Sequence, residues 1–287
     1  MRHCRLYLDC SALPATIQSL ASWAARLGLD RIKTKTIKGY ICGLRSAHID
    51  RGYFDYTAFS SPLLLRVIRG IKRRQGDGVL RERKAITRDV LLDVLSTFDV
   101  TTRSGATFHA AFCLAFAGFL RAGEFTWDTH DLSDANFANW FITRSSIKLL
   151  ANRLELDIPA SKTDPFRKGV TLRIAAAGDA GCAIASLKRM LLIAPGRPTD
   201  PLFNTGEGAF NRKRITDVLR QKLRSLGHGD HYASHSFRRG AATEARNSGV
   251  PEAMIMLLGR WKSDAYLRYI EINPDLVLQA SRRHQGR

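Results

Sequence analysis

Cysteine is scarce and patternless in this sequence. The five present (Cys4, Cys10, Cys42, Cys113 and Cys182) form an odd, scattered set without a C-x-x-C pair. That excludes a disulfide framework and a clustered structural zinc site, and it fits thiols kept in a reducing compartment. Long apolar runs are also missing. The longest uncharged stretch, Ser104 to Leu120, contains His109 and stops at Arg121, short of the roughly 20 apolar residues a membrane span needs. The start, Met1-Arg2-His3-Cys4-Arg5, has no apolar segment behind it, so a soluble intracellular protein without a secretory signal is expected. The third shortage is negative charge. Only 26 Asp and Glu face 45 Lys and Arg, a formal net charge of +19 over 287 residues. Such an excess attracts polyanions, nucleic acid first and an anionic membrane surface second, with a merely solubilising surface as the plain alternative. Because 45% of residues are apolar and 25% charged, the chain is globular and not a disordered tail.

The excess is uneven. Residues 1–86 hold 17 Lys and Arg against 6 Asp and Glu, a balance of +11 out of +19. A separate polyanion-gripping module has this signature. Helical periodicity over Pro14 to Leu27, Thr34 to Ile49 and Ser61 to Arg74 predicts a small helical domain. Lys33, Lys35, Lys38 and Arg45 lie off the second apolar stripe, and the third helix ends in Lys72-Arg73-Arg74. Gln75-Gly76-Asp77-Gly78 then breaks the pattern. The expected organisation is therefore a polyanion-gripping helical domain over 1–74, a basic linker over 75–86 and a second domain over 87–287. In that second domain Thr107 to Leu120 is apolar nearly all round, which predicts a central buried helix ending at Arg121. Alternating runs over Trp140 to Ile147, Arg153 to Pro159 and Gly169 to Ile174 predict a small antiparallel sheet. Helical patterns return over 181–193, 210–226, 237–248, 250–258, 263–271 and 274–283. The fold class is mainly α with a small antiparallel β-sheet (α+β).

One motif is H-x-x-R, at His235-Ser-Phe-Arg238; it also occurs by chance at His48/Arg51 and His284/Arg287. Its surroundings single it out. Upstream stands Leu120-Arg121-Ala122-Gly123-Glu124, and downstream comes Gly259-Arg260-Trp261-Lys262-Ser263-Asp264-Ala265-Tyr266-Leu267-Arg268-Tyr269. The ordered set Arg…Lys…His-x-x-Arg…Trp…Tyr resembles the catalytic set of the tyrosine recombinase (phage integrase) family. The wording of Ser161-Lys162-Thr163-Asp164-Pro165-Phe166-Arg167-Lys168-Gly169 and Gly259-Arg260-Trp261 is most like the Crypton and DIRS recombinases of eukaryotic mobile elements. The likeness spans nearly the whole chain and implies a SAM-like helical core-binding domain before the catalytic domain.

That resemblance implies a site-specific recombinase or integrase in which a tyrosine attacks a phosphodiester to give a 3′-phosphotyrosine and a free 5′-hydroxyl, with no metal and no cofactor. Charge building on the phosphoryl oxygens then needs fixed cations, and the planar guanidinium fork suits two phosphate oxygens. Arg121 and Arg238 take that clamp role by resemblance, with Glu124 supporting them. Lys162 would be the general acid for the leaving oxygen, with Lys168 a nearby competitor. His235 would assist proton transfer, and Trp261, in the place of a second family histidine, can donate but not relay a proton. For the nucleophile both Tyr266 and Tyr269 stand in the right segment. Tyr269, eight residues after Trp261 and followed by Ile270, fits the family ending better, although relatives show nine. The expected partners are duplex DNA and copies of the same chain, two per site and four in the assembly, with no membrane. The location would be the nucleus if the chain is eukaryotic and the cytoplasm otherwise. A type IB topoisomerase, a hairpin-forming resolvase and a domesticated, non-cleaving DNA-binding protein are the alternative readings.

Overall fold

The computed structural model describes residues 11–76, 83–160, 164, 166–271, 278 and 281–285. Internal contacts divide the chain into two units, Met1–Arg81 and Glu82–Arg287.

The first unit is built on three helices, α1 (Ile17–Leu29), α2 (Thr34–Ile49) and α3 (Pro62–Gln75). Their starts are written in the sequence. Thr16 and Ser19 cap each other's backbone N–H at the head of α1, and Ser61 caps α3 with Pro62 in its first turn. Leu20, Ala24, Ile37, Ile41, Phe59, Leu64 and Ile68 form the core. His48 is fully buried beside it. Its Nδ1 donates to the Tyr53 carbonyl at 2.9 Å, and its Nε2 accepts from the Ala15 N–H at 3.1 Å. The H-x-x-R at His48 is thus a structural strut.

The second unit begins with α4 (Arg88–Ser96) and α5 (Arg103–Ala117), and every residue of α5 from Gly105 to Phe116 is buried. An all-round apolar helix demands partners on every side. α7 (Ala183–Ile193) and α9 (His235–Asn247) supply two of them, and Phe112 of α5 meets Phe237 of α9 at 4.7 Å between ring centroids. α5 ends sooner than the apolar run predicts. The chain leaves it through Phe119 at φ 49°, so Arg121 caps a separate four-residue turn, α6 (Ala122–Phe125), and does not close the buried helix. Beyond the sheet lie α8 (Arg212–Ser225) and α10 (Glu252–Gly259).

The sheet is antiparallel in the order β1 (Ile147–Leu149), β2 (Arg153–Ile158), β3 (Val170–Ala175), with Leu149 opposite Leu154 and Leu154 opposite Ile174. Leu154, Leu156 and Ile158 alternate inward as period two requires. The strand expected over Trp140 to Ile147 is instead a loop with a 3-10 turn at Arg144–Ser146, because Thr143 and Ser146 cap each other there. The helix expected over 263–271 is the tighter 3-10 form, Asp264–Tyr269. Helix 274–283 falls largely outside the described residues. Among the described residues no helix is long and apolar enough to cross a membrane.

One seam ties the start of this unit to α9. A Cβ on Gly240 of α9 would lie 1.7 Å from the Ile86 carbonyl oxygen, so backbone rests directly on backbone. Ile86 N–H also donates to the Ser236 carbonyl at 3.1 Å, and Lys84 N–H to that of His231 at 3.0 Å. Residues 83–87 therefore lie along α9, the helix that begins with His235 and carries Arg238.

Candidate active site

Five elements of the second unit converge here: the α5–α6 corner, the segment 83–87, α9, the end of α10 and the 3-10 turn after it. The centre is the Glu124 carboxylate, 3% exposed and shared by two arginines. Its Oε1 accepts from Arg121 Nη1 at 2.8 Å. Its Oε2 accepts from the Arg121 backbone N–H at 2.8 Å and from Arg260 Nη2 at 2.7 Å. Both oxygens thus hold charge-assisted bonds, which orient the two guanidiniums.

Arg238 lies behind this pair. It is wholly buried. Its Nη1 donates to the Phe119 carbonyl and its Nη2 to that of Gly259, while its Nε has no partner among the described residues. The guanidinium carbon sits 4.1 Å from the Trp261 ring centroid and 5.7 Å from that of Tyr269. Burial first, then the like charges of Arg121 and Arg260, push its pKa down to about 9. The resemblance implies a phosphate clamp at this position. In the structure the fork of Arg238 is committed to two carbonyls, and the more open guanidinium is that of Arg121, whose side chain is 18% exposed.

Arg260 received no role from the sequence, although it stands inside Gly259-Arg260-Trp261. It occupies the left-handed region at φ 56°, and Nη1 donates to the Gly118 carbonyl at 3.1 Å. A non-glycine residue there carries strain that its bonds must offset. No local pattern separates such an arginine from a surface one; a basic side chain at a helix stop beside Gly and Trp was the only signal. Gly259 is obligatory for a different reason. A Cβ on it would fall 1.7 Å from Trp261 Cζ3, so the indole lies flat against a bare α-carbon.

His235 opens α9 at the surface. Crowding by the surrounding protein, followed by the guanidiniums of Arg212, Arg238, Arg83 and Arg121, holds its pKa below the usual 6.5. A neutral imidazole among cations can exchange a proton at neutral pH. Arg83 and Arg212 are two further basic residues that sequence reasoning missed.

The two tyrosines diverge. Tyr266 is buried and donates its hydroxyl to Glu252; that bond, then burial and the Glu252 charge, raise its pKa. Tyr269 is half-buried, its ring 5.3 Å from Trp261 and on the Arg238 side. The nearest charge thus opposes ionisation of Tyr266. Lys162 lies outside the described residues. In the first unit Lys33, Lys35, Lys38, Arg45, Lys72, Arg73 and Arg74 all face solvent. Among the described residues there is no cluster of His, Cys, Asp and Glu suited to hold a metal ion.

No protein-family model matches the chain. An integrase/recombinase XerD homolog of Selenomonas ruminantium is 25% identical over 275 residues, covering 92% of this chain and 76% of the relative. Among solved structures, the XerH site-specific recombinase bound to its palindromic difH substrate aligns with a TM-score of 0.64 at 14% identity, covering 96% of this chain and 75% of that one. A Tn1549 transposon integrase in complex with a circular-intermediate DNA gives 0.62 at 12% identity, covering 96% and 87%. A lambda integrase dimer bound to a core site gives 0.57 at 17%, covering 94% and 85%. The chain is thus similar in sequence to an integrase/recombinase, and it shares its fold with recombinases and integrases solved on DNA.

Proposed function

We propose that the chain is a site-specific DNA recombinase that cleaves and rejoins duplex DNA through a 3′-phosphotyrosine formed on Tyr269. The observation that carries this reading is the sharing of one carboxylate by Arg121 and Arg260 with Arg238 buried behind them, and the Tyr269 ring on the Arg238 side. Three guanidiniums against one carboxylate leave surplus positive charge in a poorly solvated place, and a phosphodiester supplies the missing negative charge. Arg121 would bind a non-bridging oxygen, Trp261 would offer its indole N–H, and His235 would move the proton of the nucleophile. Arg238 contributes charge from beneath and orients both rings. Lys162 remains the proposed acid for the 5′-oxygen.

The basic faces of α2 and α3 would meet DNA phosphates, with residues 1–74 as one grip, 75–86 as linker and 87–287 as the catalytic part. Two copies would act per site and four per exchange. Placing the chain with Crypton and DIRS elements, and in the nucleus, rests on the wording of Ser161 to Gly169 and Gly259 to Trp261.

The test is covalent trapping on nicked duplexes of random sequence, with EDTA present. The wild type and Tyr266→Phe should become linked to DNA, and Tyr269→Phe should bind without linkage. Linkage by Tyr269→Phe moves the nucleophile elsewhere. A wild type that binds but never links reduces the protein to a DNA-binding scaffold.

A further inference from the structure

The residues just beyond the proposed nucleophile are held by a side chain that the family motif does not include. Glu271 follows Tyr269 by two. Its Oε1 accepts from the Ala85 backbone N–H at 2.6 Å and from Arg239 Nε at 3.0 Å. Its own N–H donates to Thr243 Oγ1 at 3.0 Å, and that hydroxyl donates to the Tyr269 carbonyl at 3.3 Å. Arg239 and Thr243 are four apart on α9, hence on one face of the helix that carries Arg238. One carboxylate thus joins three strands of structure: the segment 83–87, α9 and the backbone of the tyrosine.

We propose that Glu271 is a positioning residue that sets the register of Tyr269 against Arg238, a role that rests on Tyr269 being the nucleophile. The lever arm is short. The 3-10 turn ends at Tyr269, and the chain runs on extended from Ile270. Two tethers then act within two residues of the phenol: Thr243 on the Tyr269 carbonyl and Glu271 on α9 and Ala85. Both tethers are anchored to the helix of Arg238, so they fix the spacing of the tyrosine from the cation beside it. A displacement of about 1 Å in a reacting group can cost on the order of a hundredfold in rate.

The experiment uses the full chain and single-turnover linkage to a nicked duplex, with DNA affinity and thermal unfolding measured in parallel. Glu271→Ala should slow linkage by about tenfold or more while the dissociation constant for DNA stays within about twofold. Glu271→Gln keeps an acceptor for the Ala85 and Arg239 donors and should recover the rate to within about threefold of wild type. Thr243→Val, nearly isosteric, should slow linkage like Glu271→Ala, and it carries the test alone if Glu271→Ala does not fold. Linkage at the wild-type rate by Glu271→Ala overturns the proposal, as does the same result from Thr243→Val where Glu271→Ala does not fold. So does a Glu271→Gln variant as slow as Glu271→Ala. A wild type that forms no adduct is a different result, since it removes the proposed function itself.

Discussion

Replacing Glu124 by Gln is the sharpest perturbation of this site. Both carboxylate oxygens are engaged: Oε1 takes Arg121 Nη1, and Oε2 takes the Arg121 N–H and Arg260 Nη2. Whichever way the amide is turned, its NH₂ faces at least one donor. The charge loss adds to this, because three guanidiniums then crowd without a counter-ion. A charge pair about 4 Å apart interacts by about 4 kcal/mol at an effective dielectric of about 20. Stripping one partner from a buried pair costs about 3–5 kcal/mol. Since the group is almost fully buried and serves two arginines, a loss of about 4 kcal/mol from the second unit is expected. Denaturant unfolding followed by tryptophan fluorescence reads it, since Trp127, Trp140 and Trp261 lie in that unit and only Trp23 lies in the other. The two units require a fit with separate transitions. Removing the excess cation as well, in Glu124→Gln with Arg260→Met, should restore about 2 kcal/mol relative to the sum of the single changes. A single-variant loss below about 1 kcal/mol, or strict additivity, would refute the idea that this carboxylate holds the cluster together.

Gly259→Ala should displace the Trp261 ring and cut linkage by about tenfold or more, with DNA affinity nearly retained. Unchanged linkage would show that the ring's seat on Gly259 does not matter. His109 is buried, and burial first, then Arg189, lowers its pKa from 6.5 to about 4. Its folded value lies below the unfolded one, so stability is full above pH 6.5 and falls as pH drops toward 4, by up to about 3 kcal/mol. His109→Gln should flatten that slope in pH-dependent unfolding, and an unchanged slope assigns it elsewhere. For the surface proposed to meet DNA, changing Lys33, Lys35 and Lys38 to Gln should lower the slope of log affinity against log salt by about 0.9 per lysine that meets a phosphate. An unaltered slope would remove α2 from the interface.

The helices were readable from their apolar stripes, because that signal agrees with the packing it finds and with the caps the structure shows. Thr16, Ser61 and Thr87 mark their starts, and the periodic Leu and Ile residues face the core. Trp140 to Ile147 misled for a physical reason: its alternation is strand-like, but the hydroxyls of Thr143 and Ser146 capture backbone that a strand would need. The residues of the family motif were legible as letters, and their surroundings were not. Nothing local says that Arg238 points inward to two carbonyls, since Phe119 lies 119 positions away. Glu271 was silent for the same reason, its partner Ala85 being 186 positions distant. Arg260 was in plain view, yet its pairing to Glu124 depends on a left-handed backbone turn that no residue preference announces.

The bare contact between Gly240 and the Ile86 carbonyl makes the entry to the second unit mechanically stiff. No side chain cushions the two backbones, so a pull on residue 86 is delivered undamped to the rod that bears His235 and Arg238. A larger residue at 240 would wedge the seam open and turn a weld into a loose joint.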